Sequence, residues 1–336
     1  MRAKLFSLLL LTAVVLSSCS FGSSTTPTAV PTNTSIPTPT PIPTPATPLA
    51  ILVLPENMDK ATSDTYQKIV YDLTQQSKMR FQVRNTLTPA DLEPGLKVVI
   101  ALPPDPGIVA LAAAAPKVQF LAVDIPGITP AGNISTLASN TQVDIPAFIA
   151  GYTAAMISDD YHTGLIIPKD NTDGQKAVAA FTNGMAYYCG LCRPYYYLPY
   201  GFPQYAEIPA TESKSNYDAY ADLLIIQHKV YTVYLYPDIA IQELTDYLGT
   251  TGTQVIGTSL PNPKPSGWVM TIRSDETKAI QTAWPYLIAG QGGQAVPSPL
   301  GLFDVDPTLL SPGKLRLVQQ TLDDLLSGKL DTGVGQ

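Results

Sequence analysis

The chain has 336 residues, 45% of them hydrophobic and only 14% charged, with a formal net charge of −7. That length exceeds what one hydrophobic core usually supports. The acidic balance argues against a nucleic-acid or anionic-membrane surface.

The first residues read as an export signal. Arg2 and Lys4 precede a short apolar run over residues 5–16, too short to span a bilayer. Leu16, Ser17, Ser18 and Cys19 then fit a bacterial lipobox, with small residues before a final cysteine. The chemistry needs a thiol there, because it is alkylated by a diacylglycerol before cleavage. The expectation is a lipoprotein signal over residues 1–18 and a lipidated Cys19 that anchors the mature chain to the extracytoplasmic face of the cell membrane. An ordinary secretory signal with a stray cysteine is the alternative. Residues 20–48 show no periodicity and are dominated by Thr, Pro and Ser. Such a segment cannot bury a core and stays extended. At roughly 3.1 Å per residue it reaches up to about 90 Å, the span of a stalk.

From residue 49 onward strands and helices alternate. Strands are expected at 51–54, 81–84, 98–102, 118–123 and 134–138, with helices at 62–77 and 106–115. Ile145, Phe148, Ile149, Tyr152 and Met156 then recur at helical spacing. Ala150, Gly151, Ala154 and Ala155 lie between them, so this helix can pack closely on a neighbour. Next come strand 164–167, helix 175–188, strand 195–198, helix 217–227, strand 230–236 and helix 239–248. Strands 255–257 and 268–272 precede helices 276–287 and 311–326. Alternation of this kind implies an α/β fold with parallel sheets and helices on both faces, and the length implies two lobes.

The central stretch also carries a resemblance. Val123-Asp124 ends a strand, Asn133-Ile134-Ser135-Thr136 comes next, and the following helix contains Ala150-Gly151-Tyr152. Thr163 to Ile167 and Phe181-Thr182-Asn183-Gly184-Met185 continue the pattern. In this order the pieces resemble the basic membrane protein family, substrate-binding lipoproteins that include bacterial purine-nucleoside receptors. The resemblance implies a type I periplasmic-binding-protein fold, two parallel-sheet lobes joined by a hinge over an inter-lobe cleft. It further implies a small-molecule ligand, nucleoside-like in the family's receptors, and the permease subunits of an ABC importer as partners. By the same resemblance the chain crosses between lobes near Ser139, near Ser259 and near Pro297, which puts Arg273 after the second crossing. A surface sensor or orphan lipoprotein that keeps the fold without a transporter is the alternative.

Candidate ligand contacts sit in the loops after strands, since open α/β sheets bind ligands there. Asp124 and Asp170 come after strands of the first and second lobe and could accept from ligand hydroxyls. Tyr200 or Phe202 could stack on a flat ring. Arg273 ends a strand at the position where the family carries a ligand-reaching Lys, and pairing with Asp275 or Glu276 is its structural alternative. Asn57 lies in the first loop, Pro55 to Lys60, where the family grips its nucleoside. That loop has no aromatic residue before Tyr66, and the family's second Gly-Val-Asp strand end is here Gly257-Thr258-Ser259. Both departures bear on the ligand and leave the fold intact. Asp173 and Asp238 read as helix caps.

Cys189 and Cys192 read as a structural disulfide, the simplest state of so close a pair in an exported protein. A redox pair would want its first cysteine at a helix N-terminus, and these come after a helix instead. His162 and His228 lie far in sequence from this pair and from each other, against a four-ligand zinc site. No nucleophile elbow, phosphate loop or His-Glu-x-x-His is present, so an enzyme is not expected, and no cofactor.

Overall fold

A computed structural model describes residues 46–193 and 200–335. The export signal, Cys19 and the stalk to residue 45 lie outside the described residues, as does the strand expected at 195–198.

The first sheet holds β1 (Leu49–Val53), β2 (Arg80–Arg84), β3 (Leu96–Ala101), β4 (Gln119–Val123), β5 (Ile134–Ala138) and β11 (Ala295–Pro297). The second holds β6 (Thr163–Pro168), β7 (Gln204–Ile208), β8 (Thr232–Leu235), β9 (Gln254–Gly257), β10 (Trp268–Ser274) and β12 (Leu300–Phe303). The spatial orders are β11-β5-β4-β3-β1-β2 and β12-β10-β9-β8-β6-β7. Among the described residues the strand pairs of both sheets are parallel except that of β10 with β12, which is antiparallel.

β1 shows why the sheets are parallel and covered. All five of its residues are buried. Leu49, Ile51 and Val53 pack with Ile108 and Phe120 on one face, Ala50 and Leu52 with Val70 and Ile280 on the other. A strand apolar on both sides needs helices above and below it. Around the first sheet these are α1 (Lys60–Gln76), α2 (Ile108–Ala114) and α7 (Glu276–Ile288). Around the second they are α3 (Asp144–Ile157), α4 (Thr172–Cys189), α5 (Tyr217–Asp222), α6 (Gln242–Thr250) and α8 (Pro312–Leu326). The close packing expected of α3 is realised against α4. A Cβ added at Gly151 would fall 2.0 Å from the Phe181 carbonyl oxygen, and one at Gly184 would fall 2.0 Å from that of Phe148. The two backbones touch, which only glycine permits.

The chain passes between the lobes through residues 139–143, between Ser274 and Glu276, and through residues 298–299. The first and third crossings stand where the sequence put them. The second does not: β9 and β10 pair in the same sheet, Val255 beside Trp268. Ser259 therefore opens a loop inside the second lobe, and Arg273 belongs to that lobe's own strand. β11 and β12, of three and four residues, were too short to announce themselves.

Candidate functional site

A cleft of about 820 Å³ lies between the lobes, walled by Asp59, Thr62, Thr65 and Tyr66 on one side. The loop from Ser259 to Asn262, Lys264, Arg273, Phe303 and Asp304 form the other, and Asp275, Glu276 and Thr277 close the hinge end. The volume suits a small organic ligand.

The first-lobe wall is the opening of α1. Asp59 caps this helix, its carboxylate accepting from the Thr62 N–H at 2.9 Å, and that bond holds its carboxyl below the usual range. Thr62, Thr65 and Tyr66 then share a helix face by their spacing. Tyr66 is buried, and its hydroxyl lies 3.4 Å from Glu276 Oε2. Burial, helped by the Glu276 charge, keeps the phenol protonated well above its ordinary range.

The second-lobe wall turns on β10, whose residues are all buried except Arg273. The Arg273 guanidinium lies over the Phe303 ring, 4.0 Å from its centroid. Its Nη1 stands 3.5 Å from Glu276 Oε2 and 3.4 Å from the Ser274 carbonyl oxygen. Glu276 opens α7 with its side chain only 12% exposed. Burial pushes its carboxyl up, Arg273 pulls it back, and Asp124 adds to the rise. Lys264 donates to the Asp304 carbonyl oxygen at 3.0 Å, while Thr271 Oγ1 donates to the Asp304 carboxylate at 2.7 Å.

Of the five candidate ligand contacts, Arg273 lines this cleft. Asp124 sits beside the hinge, in the left-handed region at φ 48°. Its carboxylate accepts from the Ser139 N–H at 2.6 Å and from the Ser139 hydroxyl at 2.5 Å. Ser139 Oγ in turn lies 3.4 Å from Glu276 Oε1, so Asp124 and Arg273 are linked through Ser139 and Glu276. Asp170 comes after β6, exposed, at φ 54°, and Asn57 is exposed in the turn before Asp59. Neither is among the residues that wall the cleft.

Tyr200 is placed elsewhere. A strand at 195–198 would have put it at a carboxyl end. With β7 at Gln204–Ile208 it precedes the strand, at the amino ends of the second sheet. There its hydroxyl is 3.4 Å from the Gln227 carbonyl oxygen and its ring is edge-on to His228 at 4.9 Å. The Asn171 side chain, not Asp173, caps α4, accepting from the Gly174 N–H at 2.8 Å. Cys189 ends α4 and is joined to Cys192, their Cα atoms 5.1 Å apart, a separation a disulfide spans.

Glu276, Tyr66, Phe303 and Lys264 were not singled out as ligand contacts. Tyr66 shares a helix face with Ile69, Val70 and Leu73 by spacing, so nothing in the sequence sets it apart from the core. Glu276 looked like a partner for Arg273, which it is. No expected element reached Phe303.

No family model matches the chain, and no curated protein matches it by sequence. Solved structures do. An ABC transporter solute-binding protein from Conexibacter woesei DSM 14684 is similar over 85% of this chain and 98% of its own, at 15% identity and a TM-score of 0.53. The fold is the type I periplasmic-binding-protein fold. A transcriptional activator of the comK gene from Bacillus halodurans is similar over 84% of this chain and 99% of its own, at 11% identity and a TM-score of 0.50. These two relatives are a binding protein and a regulator, and the fold is what they share with this chain.

Proposed function

We propose that the chain is the solute-binding component of an ABC importer. It is exported, held at the extracytoplasmic face of the cell membrane by a lipid on Cys19, and set off from it by the Thr/Pro stalk. The observation that carries this reading is the cleft itself: about 820 Å³ between two lobes of parallel sheet, joined by three crossings and walled by polar and charged side chains. Two lobes on a hinge can close over a solute and present a closed form to a permease. The likeness to the Conexibacter solute-binding protein points the same way.

The resemblance to basic membrane proteins makes nucleosides the first solutes to test. The departures in the first loop argue for a different polar ligand, since Asn57 is not among the wall residues and the Phe303 face is covered by Arg273. Mass spectrometry of small molecules released from the purified full chain tests the reading. A stoichiometric small polar solute, displaced on denaturation, is the expected result. The lipid is tested separately. Cys19→Ala should accumulate as unprocessed precursor, and a variant that is still processed and still partitions into detergent would overturn the anchor.

A further inference from the structure

The charged groups of the cleft are unequally committed. Asp59 caps α1. The Asp275 carboxylate accepts from the Lys278 N–H at 2.9 Å and the Thr277 hydroxyl at 2.6 Å. Asp304 accepts from Thr271. These carboxylates serve their own lobe. Arg273 differs. Its guanidinium carbon lies over the Phe303 ring, 4.0 Å from the centroid, and its side chain is 45% exposed, yet its charge partner Glu276 is 3.5 Å away and meets one nitrogen. A well-made arginine–carboxylate pair is bidentate, with distances of about 2.7–2.9 Å. Glu276 does not supply that here: its contact is single and long, and its two oxygens also lie 3.4 Å from the Tyr66 and Ser139 hydroxyls. The fork is therefore positioned and orientated, but not filled.

Resting on the solute-binding reading above, we infer that the cleft binds a small carboxylate, taken bidentately by Arg273 on its Phe303 shelf, and that Glu276 balances the guanidinium charge until the ligand's carboxylate replaces it. A planar fork matches a carboxylate in shape and in charge. A dianionic phosphate would need a second cation beside the guanidinium; Lys264, the other cation of the wall, already donates to the Asp304 carbonyl oxygen at 3.0 Å, and Glu276, Asp275 and Asp59 line the same cleft.

The exchange has a proton consequence. The charged and titratable groups that face Glu276 are Tyr66 from α1, Asp124 from the end of β4 and Arg273 from β10. Once a ligand takes Arg273, Glu276 keeps its burial and its repulsion from Asp124 but loses its cation. Its carboxyl, already raised, rises further and takes a proton from solvent. Affinity should therefore increase as pH falls toward the mildly acidic range in which the ligand itself is still ionised.

The test is titration calorimetry of the full chain against four sets of probes: small aliphatic and aromatic carboxylates, their primary amides, the matching phosphate monoesters, and neutral sugars and nucleosides. At least one carboxylate should bind, and its amide should bind at least tenfold more weakly. Arg273→Gln should weaken that carboxylate by about tenfold to a hundredfold, the loss expected of a hydrogen bond to a charged group. Arg273→Lys should restore only part, because the fork is gone. Glu276→Gln should bind at least as tightly as the native chain and lose the dependence on pH. Binding of neutral solutes or phosphate esters but of no carboxylate overturns the inference and leaves solute binding standing. So does an Arg273→Gln variant that binds its carboxylate unchanged. Failure of all four sets overturns the solute-binding reading as well.

Discussion

The two lobes repeat one sheet order. β5-β4-β3-β1-β2 of the first corresponds to β10-β9-β8-β6-β7 of the second, and each sheet grows both ways from its first strand. They differ at the carboxyl end of the fourth strand. β4 runs into Asp124, whose carboxylate grips Ser139 and so ties the ends of β4 and β5 to the first crossing. β9 runs into Thr258 and Ser259, with no carboxylate, and the loop beyond it walls the cleft. In the first lobe the strand-end carboxylate is hydrogen-bonded to the crossing. The lobe without one opens its edge instead. The lobes also differ in how their helices meet: α3 and α4 of the second touch backbone to backbone through Gly151 and Gly184.

The largest expected effect falls on that seam. Gly151→Ala puts a methyl 2.0 Å from a carbonyl oxygen, and neither α3 nor the buried face of α4 can move without disturbing the core around Phe148 and Phe181. The cost should be about 3 kcal/mol, the upper end for overpacking, and Gly184→Ala should cost the same. Denaturant unfolding followed at several wavelengths would show the second lobe losing structure first. A loss under about 1 kcal/mol would mean that the helices slide apart freely, and that the two lobes do not differ in rigidity.

Next comes the latch. Asp124→Ala removes two short hydrogen bonds to a charged acceptor and should cost about 1.5–3 kcal/mol. Asp124→Asn keeps one acceptor and a residue type that tolerates φ 48°, so it should recover roughly half. Ser259→Ala, at the corresponding edge of the second lobe, should stay within about 0.5 kcal/mol of the native chain, as for substitutions that break no buried contact. Equal losses at Asp124 and Ser259 would erase the contrast between a latched and an open edge.

Glu276 sets the pH dependence of the hinge. Its carboxyl is raised, first by burial. A raised carboxyl binds its proton more tightly in the folded chain, so its contribution favours folding below the ordinary glutamate value of 4.5 and is lost as pH rises through the raised one. Glu276→Gln should thus be more stable than the native chain near neutral pH, with the gain vanishing in acid. The gain should be larger in an Arg273→Gln background, where the cation that steadies the charge is absent. Asp306 is the control of opposite sign. Hydrogen bonds from Thr308 lower its carboxyl, so its contribution is present at neutral pH and is lost as pH falls through its depressed value. A Glu276→Gln profile parallel to the native one from acid to neutral would rule out a hinge governed by this carboxyl.

How much of this was legible in the sequence depends on the quantity each signal measures. Hydrophobic periodicity sees burial, so β4, β5 and α3 stood where expected to within a residue or two, and the small residues of α3 announced the close seam. Periodicity cannot see which sheet a strand joins. The family resemblance implied a crossing near Ser259 between β9 and β10, and the two instead pair in one sheet. The tyrosine-rich stretch shows a related limit: the strand expected at 195–198 lies outside the described residues, whereas Gln204–Ile208, not expected as a strand, joins the sheet and leaves Tyr200 ahead of it. In the cleft, Arg273 was legible because it ends an apolar strand at the position where the resembled family carries a ligand-reaching Lys. Glu276 and Phe303 were not, because their meeting depends on a crossing and on an antiparallel edge strand that no local pattern encodes.

The smallest effect expected is at Asp170, and it separates the part Asp124 plays by shape from the part it plays by charge. Both aspartates come after a buried parallel strand and both adopt a positive φ, 48° and 54°. Asp124 commits its carboxylate to Ser139, whereas Asp170 is exposed to solvent. Asp170→Asn keeps a side chain suited to the left-handed region and removes only the charge, so unfolding stability should change by less than about 0.5 kcal/mol. Asp170→Ala should cost somewhat more, about 1 kcal/mol, since alanine is strained in that backbone conformation. Asp170→Gly should recover the loss. The order Asn and Gly near native, with Ala below them, would mark a position held by backbone shape alone. If Asp170→Asn instead cost as much as Asp124→Asn, the carboxylate of Asp170 would have a partner of its own, and the second lobe would carry a latch like that of the first.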